Sequence, residues 1–218
     1  FFPIMDYELG SAFALKTDAT AIVYFSKFIK RYQGRLFVKD SWQQMALNYY
    51  VQNNLPKANY CRAQIAKYGT STTDADKQAE RFGENNNWPA LPVLQARLLI
   101  DGGYYEQALQ KLQASAPNSL PNTTDKLEYY FRYGRVLDEM NNDAKAVQYY
   151  QTTINLGRGR KEHFAARAAL QMGFIYERTN NKQEALKRYQ ECLSMRNHDY
   201  QNNLDQQAKA GINRLSAQ

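Results

Sequence analysis

Trp42-Gln43-Gln44-Met45-Ala46-Leu47-Asn48-Tyr49 is the stretch that decides the fold of this chain of 218 residues. It combines an aromatic residue, a small residue four positions later and a second aromatic residue three positions after that. Ala46 is followed after twelve residues by Ala58, and small residues such as these let two helices pack closely. The stretch therefore indicates a hairpin of two antiparallel helices.

The same pattern recurs in four further units. A Gly or Ala is followed by an Ala twelve positions later in three of them, and eleven positions later in the first, whose turn is one residue shorter. These pairs are Gly10 and Ala21, Ala96 and Ala108, Gly134 and Ala146, and Gly173 and Ala185. Four positions after the second residue of each pair come Phe25, Leu112, Tyr150 and Tyr189. We expect these large side chains to fill the gap towards the neighbouring hairpin.

The turns support the same assignment. Seven residues after the small position, four units carry Asn53, Gly103, Asn141 or Asn180. Each is one member of a pair, namely Asn53-Asn54, Gly102-Gly103, Asn141-Asn142 and Asn180-Asn181. Gly and Asn tolerate the left-handed conformation that ends many helices. The sequence thus predicts a sharp turn at the same point of each hairpin.

On these motifs the chain resembles the tetratricopeptide repeat family. The resemblance implies an all-α, right-handed superhelix of about five helical hairpins followed by a capping helix, in a single domain over residues 1–218. It also implies that the work of the chain is binding rather than chemistry. The predicted units are 5–32, 40–68, 90–115, 124–156 and 162–195, with an insertion at 69–89 and a capping helix at 203–216. An unrelated all-helical bundle is the alternative.

The insertion lengthens the interval between the second and third units. Within it, Thr73 and Asp76 resemble a capping box that opens a short helix at about 74–82, and residues 85–89 are predicted to form a turn. We favour a tolerated surface excursion. A hinge between two groups of repeats and a lid over the groove are the other interpretations.

Composition indicates a soluble globular protein, with 44% hydrophobic and 22% charged residues. No stretch approaches the roughly 18 apolar residues that a membrane-spanning helix needs. The chain starts at Phe1 without an initiator Met, so we expect a fragment or a processed form of a longer protein. The compartment, cytoplasmic or periplasmic and exported, and the oligomeric state stay open.

Residues that carry chemistry are few. His163 and His198 lie far apart in the sequence, and there is no HExxH, no CxxC pair and no phosphate-binding loop. Cys61 and Cys192 fall on second helices of distant units, where we expect unpaired, buried thiols. The sequence therefore predicts no enzyme activity, no cofactor and no metal site.

The family resemblance also implies a binding groove lined by the first helices of the hairpins. The side chains that would face it are Gln43, Gln44, Tyr50, Leu94, Arg97, Phe131, Arg132, Arg135, Arg167, Gln171 and Phe174. The arginines in this set suit an acidic peptide or a free carboxylate, because the guanidinium group matches carboxylate geometry. Alternatively, these arginines pair along their own helices, and the candidate acidic partners are Glu128, Asp138, Glu139 and Glu177.

Two segments carry a closer resemblance. Residues 34–40 and 101–109 look like the degenerate repeat half of bacterial relatives of the eukaryotic inclusion-body-clearance proteins. That resemblance implies an adaptor or scaffold.

Together these observations predict a non-enzymatic scaffold that binds a protein or peptide partner. The alternative is a nucleic-acid-binding solenoid, because the net charge is +7 and residues 151–218 hold eleven Lys and Arg against six Asp and Glu. A repeat code that reads bases would place similar polar residues at the same position of every unit. The predicted groove positions vary instead, which disfavours this alternative.

Overall fold

The computed structural model describes residues 2–85 and 87–216. Over these residues the chain forms twelve α-helices and one short 3-10 helix, without a β-strand. The helices are α1 Ile4–Leu15, α2 Thr20–Arg31, α3 Val38–Val51, α4 Leu55–Ile65, α5 Asp74–Glu84, α6 Leu91–Asp101, α7 Tyr105–Gln113, α8 Thr123–Glu139, α9 Asp143–Gly157, α10 Phe164–Arg178, α11 Lys182–Ser194 and α12 Gln201–Ser216. The all-α, helical-repeat prediction is confirmed. Asn86, which the predicted turn at 85–89 included, lies outside the described residues.

The chain divides into two compact bodies, residues 1–107 and 108–218. In the N-terminal body, α1 packs against α2 and α3 against α4. In the C-terminal body, α8 packs against α9, α10 against α11, and α12 against both α10 and α11. The prediction of one solenoid over all 218 residues stays a prediction.

The hairpin turns have the predicted left-handed residue. Backbone φ is positive at Asn53, Asn141 and Asn180, with values of 58°, 58° and 61°, and at Gly103, with 80°. The amide of the following residue then donates to a carbonyl five residues earlier, as in the hydrogen bond of 2.8 Å from Asn142 N to Leu137 O. This hydrogen bond satisfies a carbonyl that the helix end would otherwise leave unpaired.

The glycines of the first helices lie against aromatic rings of the second helices. A Cβ atom on Gly134 would lie 2.7 Å from the Tyr150 ring, and one on Gly173 would overlap the Tyr189 ring. The Tyr189 ring also lies against α12, where a Cβ on Gly211 would come within 2.5 Å of it. The predicted role of this aromatic position is therefore confirmed for Tyr189, which fills space both within its hairpin and towards the next helix.

Each of these tyrosine hydroxyls binds a carboxylate on the first helix of its own hairpin. Tyr150 Oη donates to Asp138 Oδ2 at 3.0 Å, and Asp138 Oδ1 accepts a charge-assisted hydrogen bond of 2.8 Å from Arg178 Nη2 of α10. Through these two hydrogen bonds Asp138 of α8 joins its own helix to α9 and α10.

The same arrangement recurs one repeat later. Tyr189 Oη donates to Glu177, which also accepts from Arg214 Nε and Nη2 of α12, each at 2.9 Å. These hydrogen bonds, with that from Arg214 first, lower the pKa of Glu177. The alternative left open by the sequence was that Asp138 and Glu177 pair with arginines along their own helices. The structure does not support it for these two carboxylates, because both accept from arginines on other helices.

The insertion is part of the N-terminal body rather than a surface excursion. Its helix α5 packs against α3 and α4, and the Asp76 carboxylate is 0% exposed. Asp76 accepts hydrogen bonds from the amides of Phe37 and Asp40, at 2.7 and 3.1 Å, at the start of α3. The preferred interpretation of a tolerated excursion is therefore wrong, because the carboxylate of α5 satisfies amides that α3 leaves unpaired.

Aromatic residues from the end of the insertion add to this core. Phe82 and Trp88 pack edge to face with ring centroids 5.5 Å apart, and both pack against the buried cluster around Ala46 and Cys61. The guanidinium carbon of Arg62 lies over both rings, at 4.8 and 5.1 Å from their centroids. Arg62 stands where other units have Tyr150 and Tyr189, so the insertion supplies aromatic rings next to a position at which this hairpin has none.

The two cysteines are free and buried, as predicted. Burial raises the pKa of Cys61 to about 11 and that of Cys192 to about 12. Both thiols therefore stay protonated and unreactive near neutral pH. No helix in residues 2–85 or 87–216 is long and apolar enough to cross a membrane.

Replacing Gly173 with Ala should destabilise the fold by about 1–3 kcal/mol, because the added methyl group overlaps the Tyr189 ring. Helix propensity alone predicts the opposite, a gain of about 1 kcal/mol. Gln183→Ala, at an exposed site in α11, is the matched control and should change stability little. Chemical unfolding measures both variants, and a Gly173→Ala protein as stable as the parent would contradict the packing described for this hairpin.

Asp76→Ala should cost about 1–3 kcal/mol or more, because it leaves buried amides without an acceptor. Asp74→Ala removes a neighbouring carboxylate whose side chain is 95% exposed and serves as the control. Thermal unfolding followed by circular dichroism distinguishes them. Equal melting temperatures for the two variants would restore the interpretation of a surface excursion.

Candidate functional site

The predicted groove residues divide between the two bodies. Three lie on α3 and two on α6 in the N-terminal body, namely Gln43, Gln44, Tyr50, Leu94 and Arg97. The other six lie on α8 and α10 in the C-terminal body, namely Phe131, Arg132, Arg135, Arg167, Gln171 and Phe174. The helices α8 and α10 contact each other, so the second set lies on the adjacent first helices of two consecutive hairpins of one body.

In the N-terminal body two of the five predicted groove residues, Leu94 and Tyr50, pack against other side chains of the body. Leu94 is 0% exposed and packs in a cluster with Leu47 and Leu98. Tyr50 stacks on Trp88 with ring centroids 4.5 Å apart, and its hydroxyl donates to Pro89 O at 3.2 Å. The prediction that Leu94 faces a ligand is wrong, because the insertion brings Trp88 over this part of α3 and α6 buries its own leucines.

In the C-terminal body one predicted groove residue is also buried. Phe131 is 2% exposed, and its ring packs against the Tyr150 ring at 5.9 Å and the Phe164 ring at 5.5 Å. It therefore forms part of the core between α8, α9 and α10. Its prediction as a groove residue is wrong, because the family pattern places the position but does not show which way a large apolar side chain turns.

Arg132 pairs within its own helix. Its Nε and Nη2 atoms donate to Glu128 Oε1 at 3.2 and 3.1 Å. The two side chains are only 14% and 9% exposed. For Arg132 the structure thus supports the alternative of pairing along the helix, and this guanidinium is mostly covered.

Arg135 connects the two helices of the face. Its Nη2 atom lies 2.6 Å from Glu139 Oε1 on α8, and its Nη1 donates to Gln171 Oε1 on α10 at 3.5 Å. A guanidinium group has five N–H donors, so these contacts leave donors that a ligand could use. About a third of the Arg135 side chain, 32%, is exposed.

Three residues of α10 continue the face. Arg167 is exposed, while Gln171 and Phe174, one and two turns further along the helix, are half-buried. The Phe174 ring meets the Tyr189 ring edge to face at 5.7 Å. We call Arg135, Arg167, Gln171 and Phe174 the α8–α10 face. It offers guanidinium donors, an amide and the free side of an aromatic ring.

His163 borders this face, and the sequence analysis did not assign it to the site. Burial, and next the nearby charges of Arg167 and Arg132, lower its pKa to about 4. The imidazole is therefore neutral near pH 7. His163 stands directly before α10, one turn ahead of Arg167, and this position could have indicated that it borders the face. The burial of its ring, however, depends on contacts that the local sequence does not show.

The basic residues after position 150 are largely matched by carboxylates. The ion pairs of this region join Arg158 with Glu191, Arg160 with Glu162, Arg178 with Asp138 and Asp143, Arg188 with Glu184 and Glu191, Arg196 with Asp205, and Arg214 with Glu177. The excess positive charge of this region is consequently compensated locally at most of its arginines.

Comparison with protein families gives a match in the same two hairpins. Residues 127–156 and 166–199 match the tetratricopeptide repeat model, which corresponds to α8 with α9 and α10 with α11. The matched residues make up less than a third of the chain. The prediction of tetratricopeptide repeats is confirmed for these two hairpins. Repeats of this class are associated with protein interaction. No curated protein matches the chain.

The His163 ring should titrate with a pKa of about 4 in nuclear magnetic resonance spectra recorded against pH. Arg167→Gln should raise this value, because removing a nearby cation favours the protonated ring. Arg158→Gln, in the loop after α9, should leave it unchanged. A His163 pKa near the ordinary value of about 6.5 would show that the imidazole is hydrated and not part of the site edge described above.

Proposed function

We propose that this protein is a non-enzymatic scaffold that binds a protein or peptide partner on the α8–α10 face. The observation that carries the proposal is the placement of Arg135, Gln171 and Arg167 on adjacent first helices of the two hairpins that match the tetratricopeptide repeat. Adjacent first helices offer an extended partner a continuous row of side chains. Binding of this kind requires no cofactor.

The chemistry of the face favours a ligand with carboxylate groups. Arg135 and Arg167 can donate two parallel hydrogen bonds to a carboxylate, and Gln171 can bind a peptide group of the ligand. Glu128 and Glu139 already pair with Arg132 and Arg135, so a ligand carboxylate would compete with Glu139 for Arg135. Arg167 is exposed on the same face and is a second candidate for a carboxylate contact.

Nucleic-acid binding is the less favoured alternative. A protein that binds phosphate backbones neutralises several phosphates with Lys and Arg. Here most arginines of the basic C-terminal third already pair with carboxylates. A nucleic acid would have to displace those partners, at the cost of leaving acidic groups close to its phosphates.

The closer resemblance to bacterial relatives of inclusion-body-clearance proteins is consistent with this proposal. It rests on residues 34–40 and 101–109, which lie outside the two hairpins that match the repeat family. An adaptor of that kind would hold a partner rather than transform it.

Selection from a random peptide library tests the proposal. Peptides retained on the protein should be enriched in Asp and Glu or should require a free C-terminal carboxylate. Arg167→Gln combined with Arg135→Gln should weaken binding of a selected peptide about tenfold or more, since a hydrogen bond to a charged group contributes about 1.5–3 kcal/mol. Binding of the peptide should also raise the pKa of His163, because it brings negative charge to the edge of the face.

Two controls make the result specific. Arg158→Gln with Arg160→Gln removes the same charge from the loop after α9 and should change peptide affinity little. Random single-stranded RNA and DNA should not be retained at physiological salt. Retention of nucleic acid, with equal losses from both pairs of substitutions and a steep decrease of affinity with salt, would contradict the proposal and favour the alternative.

A further inference from the structure

The N-terminal body contains a cavity of about 560 Å³. It lies over the start of α3, between the ends of α2 and α4, and the loops after α2 and α4 complete its wall. None of the predicted groove residues lines it. Its volume falls in the range of about 300–1,000 Å³ that is typical of small-molecule sites.

Aromatic side chains form one side of this cavity. Trp42 stacks on Tyr68, with ring centroids 6.1 Å apart, and meets Tyr60 edge to face at 6.3 Å. Although they pack on Trp42, the two tyrosines are 62% and 52% exposed, Tyr60 more than Tyr68. Exposed aromatic rings beside a concave surface provide a place for a flat apolar group to stack.

Positive charge surrounds the same opening. Lys30, Arg35 and Lys67 line the cavity, and no Asp or Glu among the described residues does so. All three side chains belong to exposed residues, and none of them has an ion-pair partner within residues 2–85 or 87–216. This differs from the C-terminal body, where most arginines pair with carboxylates. Three uncompensated cations around one cavity favour an anionic ligand.

Trp42 also has an unsatisfied polar atom. Its Nε1 is buried and has no hydrogen-bond acceptor among the described residues. By contrast, Nε1 of Trp88 donates to Asn59 Oδ1 at 3.2 Å. A buried donor without an acceptor is unfavourable, and it belongs to a side chain that lines the cavity.

We propose that this cavity is a binding site for a small aromatic carboxylate. The flat ring packs against Tyr60 and Tyr68, and the carboxylate is held by Arg35, Lys30 and Lys67. The site is independent of the α8–α10 face, because it lies in the other body and uses none of the same residues.

The two indole N–H signals of the chain provide a direct test. The sequence contains two tryptophans, so a ¹H–¹⁵N spectrum shows two such signals, and Trp88→Phe identifies which belongs to Trp42. Titration with 2-naphthoate should shift the Trp42 signal in a saturable way and leave that of Trp88 nearly unchanged. The cation 2-naphthylmethylammonium, with the same ring and opposite charge, should cause no saturable shift, and neither should acetate, which lacks the ring.

Substitutions then test the charge requirement by calorimetry. Arg35→Gln with Lys67→Gln should weaken 2-naphthoate binding about fivefold or more, and both side chains are exposed, so the fold should persist. Lys57→Gln, at an exposed position of α4 that does not line the cavity, is the control and should leave affinity unchanged. The proposal is overturned if the Trp42 signal does not respond at millimolar 2-naphthoate, if the cationic probe binds equally well, or if Lys57→Gln matches the effect of the double substitution.

Discussion

The contact between a glycine on one helix and a tyrosine ring on the next determines how the C-terminal body packs. Gly134 lies against Tyr150, and Gly173 against Tyr189. With no Cβ on the glycine, the helices approach closely enough for the ring to be fully covered, and both tyrosines are 0% exposed. The buried hydroxyl then needs an acceptor, which the carboxylate one turn after the glycine supplies.

That carboxylate extends the packing from one hairpin to the next. Asp138 binds Arg178 of α10, and Glu177 binds Arg214 of α12. The repeat therefore fixes more than the shape of a hairpin, because the same residues that satisfy the tyrosine also hold the following helix. In the N-terminal body Arg62 replaces the tyrosine, and Phe82 and Trp88 of the insertion cover it. The insertion thus provides the aromatic rings that cover Arg62 at the position where the other hairpins have a tyrosine.

Local patterns in the sequence predicted the helices and turns because the spacing of Gly, Ala and Asn reflects contacts within one hairpin. They could not predict contacts made by residues far apart in the chain. Asp76 was recognised as part of a capping box for its own helix, yet its carboxylate also caps α3. The prediction of the binding site has the same weakness. Leu94 and Phe131 occupy groove positions according to the repeat numbering, but their side chains are buried in the core. The wall of the cavity beside Trp42 is formed by residues of α2, α3 and α4. No local sequence motif predicts a site that depends on the packing of three helices.

A double-mutant cycle between Gly134 and Tyr150 tests the central claim most directly. If the ring against the glycine sets the helix spacing, Gly134→Ala should be destabilising in the parent but much less so when Tyr150 is replaced by Leu. The coupling free energy from chemical unfolding should then lie at about 0.5–3 kcal/mol. A coupling of zero, with the two substitutions simply additive, would contradict the account.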